Sequence, residues 1–168
     1  MTVTFVDINN LGPVGGNGGG PFSEPLIAPW VLVGFNVRYG DYIDAITPVY
    51  SAIDTNGRIT GTREGATYGG DGGSPKSLIA QPSYVVTGIE GHYGELVYGF
   101  RLIFHRWGPS GIVVNDSYSS EYVGEAVTHR GSNFNLQALD QGFIVGVAGR
   151  YGAYLDQISL SCALPRWE

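Results

Sequence analysis

Two stretches of this 168-residue chain carry the same chemically capable side chains at the same spacing. Residues 37–46, VRYGDYIDAI, and 149–158, GRYGAYLDQI, share the phrase Arg-Tyr-Gly-x-Tyr-(Ile/Leu)-Asp, so Asp44 and Asp156 follow Gly40 and Gly152 with Tyr42 and Tyr154 between. An ionised carboxylate accepts hydrogen bonds from two donors at once. Tyrosine offers an apolar ring face with a polar tip, and glycine permits a tight turn and a close backbone approach. Taken singly, the phrase reads as a hairpin turn whose aspartate caps backbone amides. Two carboxylates also raise acid–base hydrolysis by Asp44 and Asp156. That pairing is poor, because the two lie in separate copies and should stand on different edges of the fold, beyond the roughly 5–10 Å such chemistry requires.

The elements that must hold these residues are strands. Apolar residues alternate into each Tyr-Gly pair and resume at Ile43 and Leu155, the pattern of a strand, a tight turn and a second strand. A weaker third copy, VVTGIEGHYGELVYGF at 85–100, keeps Gly88, Tyr93 and Gly94 but has Leu96 for the second tyrosine and Tyr98 for the aspartate. The anchoring glycines, Gly40, Gly94 and Gly152, are therefore 54 and 58 residues apart. Repeats of this size, each with a few short strands, predict three similar sheets around a shared core. Glycine clusters stand between the copies, GGNGGG at 15–20 and GGDGG at 69–73, and Asn56-Gly57 marks a hairpin turn. Residues 112–133 have no counterpart in the first repeat and read as an insertion or long hairpin.

Composition agrees with an all-β domain: 14% of residues are charged, while 27 are Gly and 11 are Tyr. The length suits one domain with one core. A net charge of −6 and a single lysine, Lys76, leave no basic stripe for a phosphate backbone, so nucleic acid is disfavoured. No apolar stretch reaches the roughly 20 residues of a membrane span, so membrane insertion is not expected. The opening MTVTFVDINN has neither a basic nor an apolar leader region, which reads as soluble and cytoplasmic at synthesis, with later release left open. Cys162 stands alone in SLSCALP and reads as a small core residue.

Other motifs carry less. GDGGSPKS at 70–77 nearly matches a phosphate-binding loop, but Pro75 removes an N–H from the cradle. DTNG at 54–57 begins like a calcium loop, yet its twelfth position is Gly65. His92, His105 and His129 lack ligand spacing and read as surface or edge-strand residues; no metal or other cofactor is expected. Asn115-Asp116-Ser117 is a glycosylation sequon that matters only in a secreted chain. Arg38 and Arg150, two residues before each glycine, are expected to brace the turn or its carboxylate.

From about Gly12 onwards the chain resembles the jacalin-related lectins. The resemblance is carried by GPVGGNGG at 12–19, VRYGDYIDAI, WGPSG at 107–111, FNL at 134–136 and IVGVAGRYGAYLDQI, in this order and spacing. It implies a β-prism I fold of three four-stranded antiparallel sheets with pseudo-threefold symmetry, in one domain over 1–168, with 1–11 as an N-terminal extension. It also implies reversible, non-catalytic binding of mannose- or glucose-type sugars. Repeated Gly-x-Tyr-x-Asp loops are similar to those of griffithsin-like members, in which each such loop faces a glycine-rich loop. By position, one sugar site then combines Gly19 with Gly152, Ala153, Tyr154 and Asp156, and a second combines Gly40, Asp41, Tyr42 and Asp44 with Gly73.

The third site should be missing, since Tyr98 replaces the aspartate and the glycine loop expected after GPSG is replaced by IVVNDSYSS. Each site is shallow and weak alone, so avidity would come from two sites, or from a homo-oligomer, engaging mannose-type oligosaccharides and glycoproteins. The alternative is a protein-interaction or structural module that keeps the fold without its sugar sites.

Overall fold

The computed structural model describes residues 2–124 and 131–168. Fourteen strands and no helix are found among them: β1 (Val3–Gly15), β2 (Gly20–Ser23), β3 (Trp30–Tyr39), β4 (Ile43–Ile53), β5 (Ile59–Glu64), β6 (Tyr68–Gly69), β7 (Ser74–Ile79), β8 (Tyr84–Tyr93), β9 (Val97–Gly108), β10 (Gly111–Ser119), β11 (Val123–Gly124), β12 (Ser132–Gln137), β13 (Phe143–Tyr151) and β14 (Leu155–Trp167). They form three antiparallel sheets. The first has the order β1-β14-β13-β2, the second β5-β4-β3-β7 and the third β10-β9-β8-β12. Four strands per sheet is the right architecture, with one refinement. In the second and third sheets the outer strand is broken, so that β6 and β11 continue the edge begun by β5 and β10 against β4 and β9.

Each sheet is built on one repeat. The hairpins β3–β4, β8–β9 and β13–β14 slip register at equivalent places, next to Gly34, Gly88 and Gly146 and again at Tyr39, Tyr93 and Tyr151. Shared bulges give the three hairpins the same twist and curvature. Each bends its apolar face towards a common axis, where Phe35, Ile89, Phe100, Ile144 and Ile158 are buried together. Burial of each such side chain contributes roughly 1.5–3 kcal/mol. Cys162 lies in this core as a free thiol, as its flanks predict. Trp107, Phe143 and Val31 close the end of the prism away from the Tyr-Gly turns.

Two sequence expectations change. Of residues 1–11, those from Val3 onwards are not appended to the fold: β1 pairs with β14 from Val3↔Trp167 and forms the edge of the first sheet. Within 112–133, the residues up to Gly124 are not an independent insertion either, while 125–130 lie outside the described residues. Gly111–Ser119 and Val123–Gly124 are the outer edge of the third sheet, in the place that Ile59–Gly69 takes in the second. In the sequence, Gly124 and Gly131 are seven residues apart where Gly15 to Gly19 and Gly69 to Gly73 are four apart. The expected turn at Asn56-Gly57 does form, but only Gly57 takes a positive φ, of 79°.

Candidate functional site

The three Tyr-Gly turns make one local structure. The amide of Gly40 donates to the carbonyl of Tyr42 at 3.0 Å, that of Gly152 to Tyr154 at 3.0 Å and that of Gly94 to Leu96 at 2.9 Å. Each turn is followed by a fully buried apolar residue, Ile43, Leu155 or Val97. That anchor fixes the direction of the residue after it, because neighbours along a strand point to opposite faces. In the second sheet the next residue is Asp44, in the first Asp156 and in the third Tyr98.

Opposite Asp156 stands the loop 16–19, and opposite Asp44 the loop 70–73. A Cβ on Gly18 would lie 2.5 Å from Asp156 Oδ2, and one on Gly72 2.6 Å from Asp44 Oδ2. Gly19 and Gly73 hold φ of 64° and 74° and press against the carbonyls of Tyr151 and Tyr39, where a side chain would collide at 2.2 and 2.7 Å. Glycine is therefore required there both by backbone conformation and by closeness of approach. The amides of Gly16 and Gly70 donate to the backbone carbonyls of Asp156 and Asp44, each at 2.9 Å, which closes the base of both sites. Gly19 thus meets Asp156 and lies beside Gly152, and Gly73 meets Asp44, while Gly40 stands in open space. Ala153, Tyr154 and Asp41 are exposed on the turns, and Tyr42 is half-buried.

Gly18, Gly72 and the role of the arginines go beyond the sequence reading. Arg150 donates from Nε to the carbonyl of Gly18 at 3.1 Å and from Nη2 to that of Gly19 at 2.8 Å. Arg38 does the same to Gly72 and Gly73 at 3.0 and 2.9 Å. The guanidinium fork fastens the facing loop and does not hydrogen-bond the carboxylate. The signal was present in the repeated Gly-x-Gly-Gly of the two clusters, but its target is set across the sheet.

The carboxylates themselves are set apart from turn-capping ones. Asp54 is a capping residue: its Oδ1 accepts from the amides of Asn56 at 2.8 Å and Arg58 at 2.9 Å. Asp44 and Asp156 accept no hydrogen bond to their carboxylate oxygens from the described residues, although Asp44 is only 7% exposed. Burial raises both carboxyl groups above the usual aspartate value, and Arg38 and Arg150 partly oppose this. Two desolvated acceptors facing a gap kept open by glycine are poised for donors from outside the chain.

The tips lie on different sheets yet converge at one end of the prism. The rings of Tyr42 and Tyr154 meet edge to face at 5.5 Å, and Tyr42 also touches Tyr98 at 5.7 Å. The glycine loops interlock with neighbouring turns, since a Cβ on Gly70 would strike the Ala153 carbonyl at 2.4 Å and one on Gly16 the Glu95 carbonyl at 2.2 Å.

The third tip keeps more of the plan than the sequence suggested. Gly131, with φ 79°, stands against the Tyr93 carbonyl as Gly19 and Gly73 stand against Tyr151 and Tyr39, and Ser132 pairs with Tyr93 as Gly20 and Ser74 pair with their tyrosines. The glycine was sought directly after GPSG, but it lies after the whole outer edge strand. Its Cβ position is closed by the Tyr98 ring at 2.8 Å, so the gap for a ligand is filled. His92 replaces the arginine clamp and bonds through Nδ1 to the Tyr122 hydroxyl at 2.8 Å. His92 and His105 lie on the central strands β8 and β9, not on edges, and His129 lies outside the described residues. Burial lowers the pKa of His105, whose Nδ1 is 2.6 Å from Thr87 Oγ1.

Residues 11–160 match the model of the jacalin-like lectin domain. The chain belongs to the jacalin-like lectin family. Among relatives, it is 30% identical over 155 residues to horcolin of Hordeum vulgare, covering 88% of this chain and 92% of horcolin. It is 27% identical over 158 residues to jacalin-related lectin 19 of Arabidopsis thaliana, covering 93% and 81%. Among solved structures, the fold superposes on artocarpin, a lectin with mannose specificity, with a TM-score of 0.72 at 18% identity, covering 95% of this chain and 99% of that one. The jacalin-like lectins are non-catalytic carbohydrate-binding domains, so the hydrolase alternative falls.

Proposed function

We propose that this jacalin-like lectin binds mannose- or glucose-type glycans reversibly at two tips of the prism. One is formed by Gly19, Gly152, Ala153, Tyr154 and Asp156, the other by Gly40, Asp41, Tyr42, Asp44 and Gly73. The observation that carries this reading is the pair of desolvated carboxylates, each facing a glycine-kept gap and accepting no hydrogen bond among the described residues. Adjacent hydroxyls of a hexose supply the two donors that such a carboxylate lacks. The Gly40 and Gly152 amides are consumed inside their turns. Backbone donors to the sugar's ring and hydroxymethyl oxygens therefore fall to the residues after them, Asp41 and Ala153. The tyrosines present ring faces to sugar C–H groups.

Each gap buries little apolar area and exchanges hydrogen bonds with water, so a monosaccharide binds weakly at one tip. Two tips at one end of the prism favour branched glycans, because occupation of the first raises the effective concentration at the second, an effect of about 10²–10⁴ in avidity when geometry allows. The mannose specificity named for artocarpin, and for a mannose-binding jacalin-related lectin of Ananas comosus to which the fold is also similar, supports the choice of sugar.

Calorimetric titration of methyl α-mannoside, then of a branched oligomannoside, into the wild type and the Asp44→Asn, Asp156→Asn variant tests the proposal. Two sites per chain in the wild type and none in the variant are expected. A wild type silent towards mannose, glucose and galactose would reduce the tips to turn chemistry and favour the protein-interaction module.

A further inference from the structure

We propose that the outer face of the third sheet, below the tip that lacks an aspartate, is a separate site for a neutral saccharide unit, bound across Glu90, His92, Arg101, Tyr122, Asn133 and Asn135. A depression of about 420 Å³ lies on this face and is lined by these side chains. Its size falls within the range of roughly 300–1,000 Å³ typical of small-molecule sites. The corresponding hollow on the second sheet, around Asn36, Arg38, Thr47, Thr67 and Ser77, is about 260 Å³.

The two faces correspond by register, because Ser77 pairs with Asn36 on one as Asn135 pairs with Glu90 on the other. On the second sheet the polar groups satisfy one another. Asn36 donates to Glu64 at 2.9 Å and accepts from Ser77 at 2.6 Å, Thr47 and Thr67 share a bond of 2.7 Å, and Arg38 is committed to the glycine loop. On the third sheet the arginine has become His92, which bonds to Tyr122 through Nδ1. Tyr122 can reach it because the strand between them offers Gly99, where a Cβ would strike the tyrosine ring at 2.7 Å. Asn135 Oδ1 accepts only from Gln137, at 3.0 Å, and the exposed Asn133 amide has no hydrogen-bond partner among the described residues.

The chemistry selects the ligand. Glu90 and Arg101 are paired with each other, so the face carries little net charge to hold an anion or a cation. What it offers is alternation: carboxylate and amide acceptors, guanidinium and amide donors, and an aromatic edge from Tyr122. Vicinal hydroxyls both donate and accept and match such a row where a phosphate does not, and a sugar's C–H faces suit the lining between these groups, which is more apolar than polar. This assignment does not rest on the tips, since it uses none of their residues.

The test is amide-resolved NMR of the ¹⁵N-labelled Asp44→Asn, Asp156→Asn protein titrated with methyl β-galactoside, N-acetylglucosamine and maltose. At least one sugar is expected to shift the amides of residues 90–92 and 133–135 saturably. Adding Asn133→Ala and Asn135→Ala, two exposed positions, should weaken that response by about tenfold, as loss of one or two hydrogen bonds predicts. The proposal is overturned if none of the three sugars moves these amides, or if the response survives the asparagine substitutions unchanged. The wild type, followed at residues 40–44 and 152–156 in the same spectra, reports the tips separately.

Discussion

The second-sheet and third-sheet tips share a turn, a buried anchor residue and a positive-φ glycine against the tyrosine carbonyl, yet only one keeps a gap. At the second-sheet tip Asp44 faces Gly72 and Gly73, with Arg38 holding the glycine loop in place. At the third-sheet tip the Tyr98 ring occupies the space beside Gly131, and His92 is engaged elsewhere. The turn is therefore a property of the fold, required to close each hairpin. The carboxylate, the doubled glycine and the arginine clamp are the parts on which the proposed sugar sites depend.

The largest effect expected from this contrast is on the carboxylates. Asp44→Asn or Asp156→Asn should each remove one mannoside site, with affinity there falling about a hundredfold for the loss of charge-assisted bonds worth roughly 1.5–3 kcal/mol. Calorimetric stoichiometry dropping from two to one checks it. The contrast breaks if either variant keeps both sites.

Glycine substitutions come next and divide by position. Gly18→Ala and Gly72→Ala place a methyl group against the carboxylate and should weaken binding about tenfold to a hundredfold while the melting temperature holds, because the atom displaced is the end of a side chain. Gly19→Ala and Gly73→Ala meet backbone and force a strained φ, and should destabilise the fold by about 1–3 kcal/mol. Denaturant unfolding of the four variants separates the two classes.

Acid should weaken binding and relieve the fold together. Asp44 and Asp156 have raised pKa values, from burial offset by Arg38 and Arg150, so affinity should begin to fall above the ordinary aspartate value of 3.8. The sign for stability is opposite. A carboxyl group raised by burial penalises the folded state when ionised, and the penalty disappears as pH falls through the folded-state value towards 3.8. Relative to Asp44→Asn, Asp156→Asn, the wild type should therefore gain stability on acidification over this window while losing mannoside affinity. Thermal unfolding and titration at matched pH values check both signs.

Smaller effects concern the clamp and the empty tip. Arg38→Lys and Arg150→Lys lose the fork that holds two carbonyls and should cost about threefold to tenfold in affinity without change in stoichiometry. Tyr98→Asp should add no third site, because His92, bonded to Tyr122, stands where Arg38 and Arg150 clamp the glycine loops of the other two tips. A measured stoichiometry of three would show that the aspartate alone makes the site.

The limits of sequence reading follow from what is local. The turns at Gly40, Gly94 and Gly152 were legible because a tyrosine, a glycine and a following apolar anchor dictate them within a few residues. The partner glycines at 19 and 73 were legible only through resemblance, since they meet their aspartates across a sheet. Gly131 was missed because an edge strand of unrelated sequence, and three added residues after Gly124, moved it far from the expected place. That strand was read as an insertion for the same reason: an edge strand is held by backbone pairing with β9, which leaves little side-chain pattern to recognise.

The sequence by itself determined an all-β chain of three repeats, two of them bearing aspartate turns, because periodicity, turn chemistry and anchor residues act between near neighbours. Only the tertiary structure decided that Asp44 and Asp156 accept no hydrogen bond from the residues described while Asp54 caps a turn. It alone decided that the arginines clamp the facing loops and that the tips converge on touching tyrosines. These are relations between segments up to more than a hundred residues apart in the chain, set by how sheets bend around a shared core and therefore absent from any single stretch of sequence.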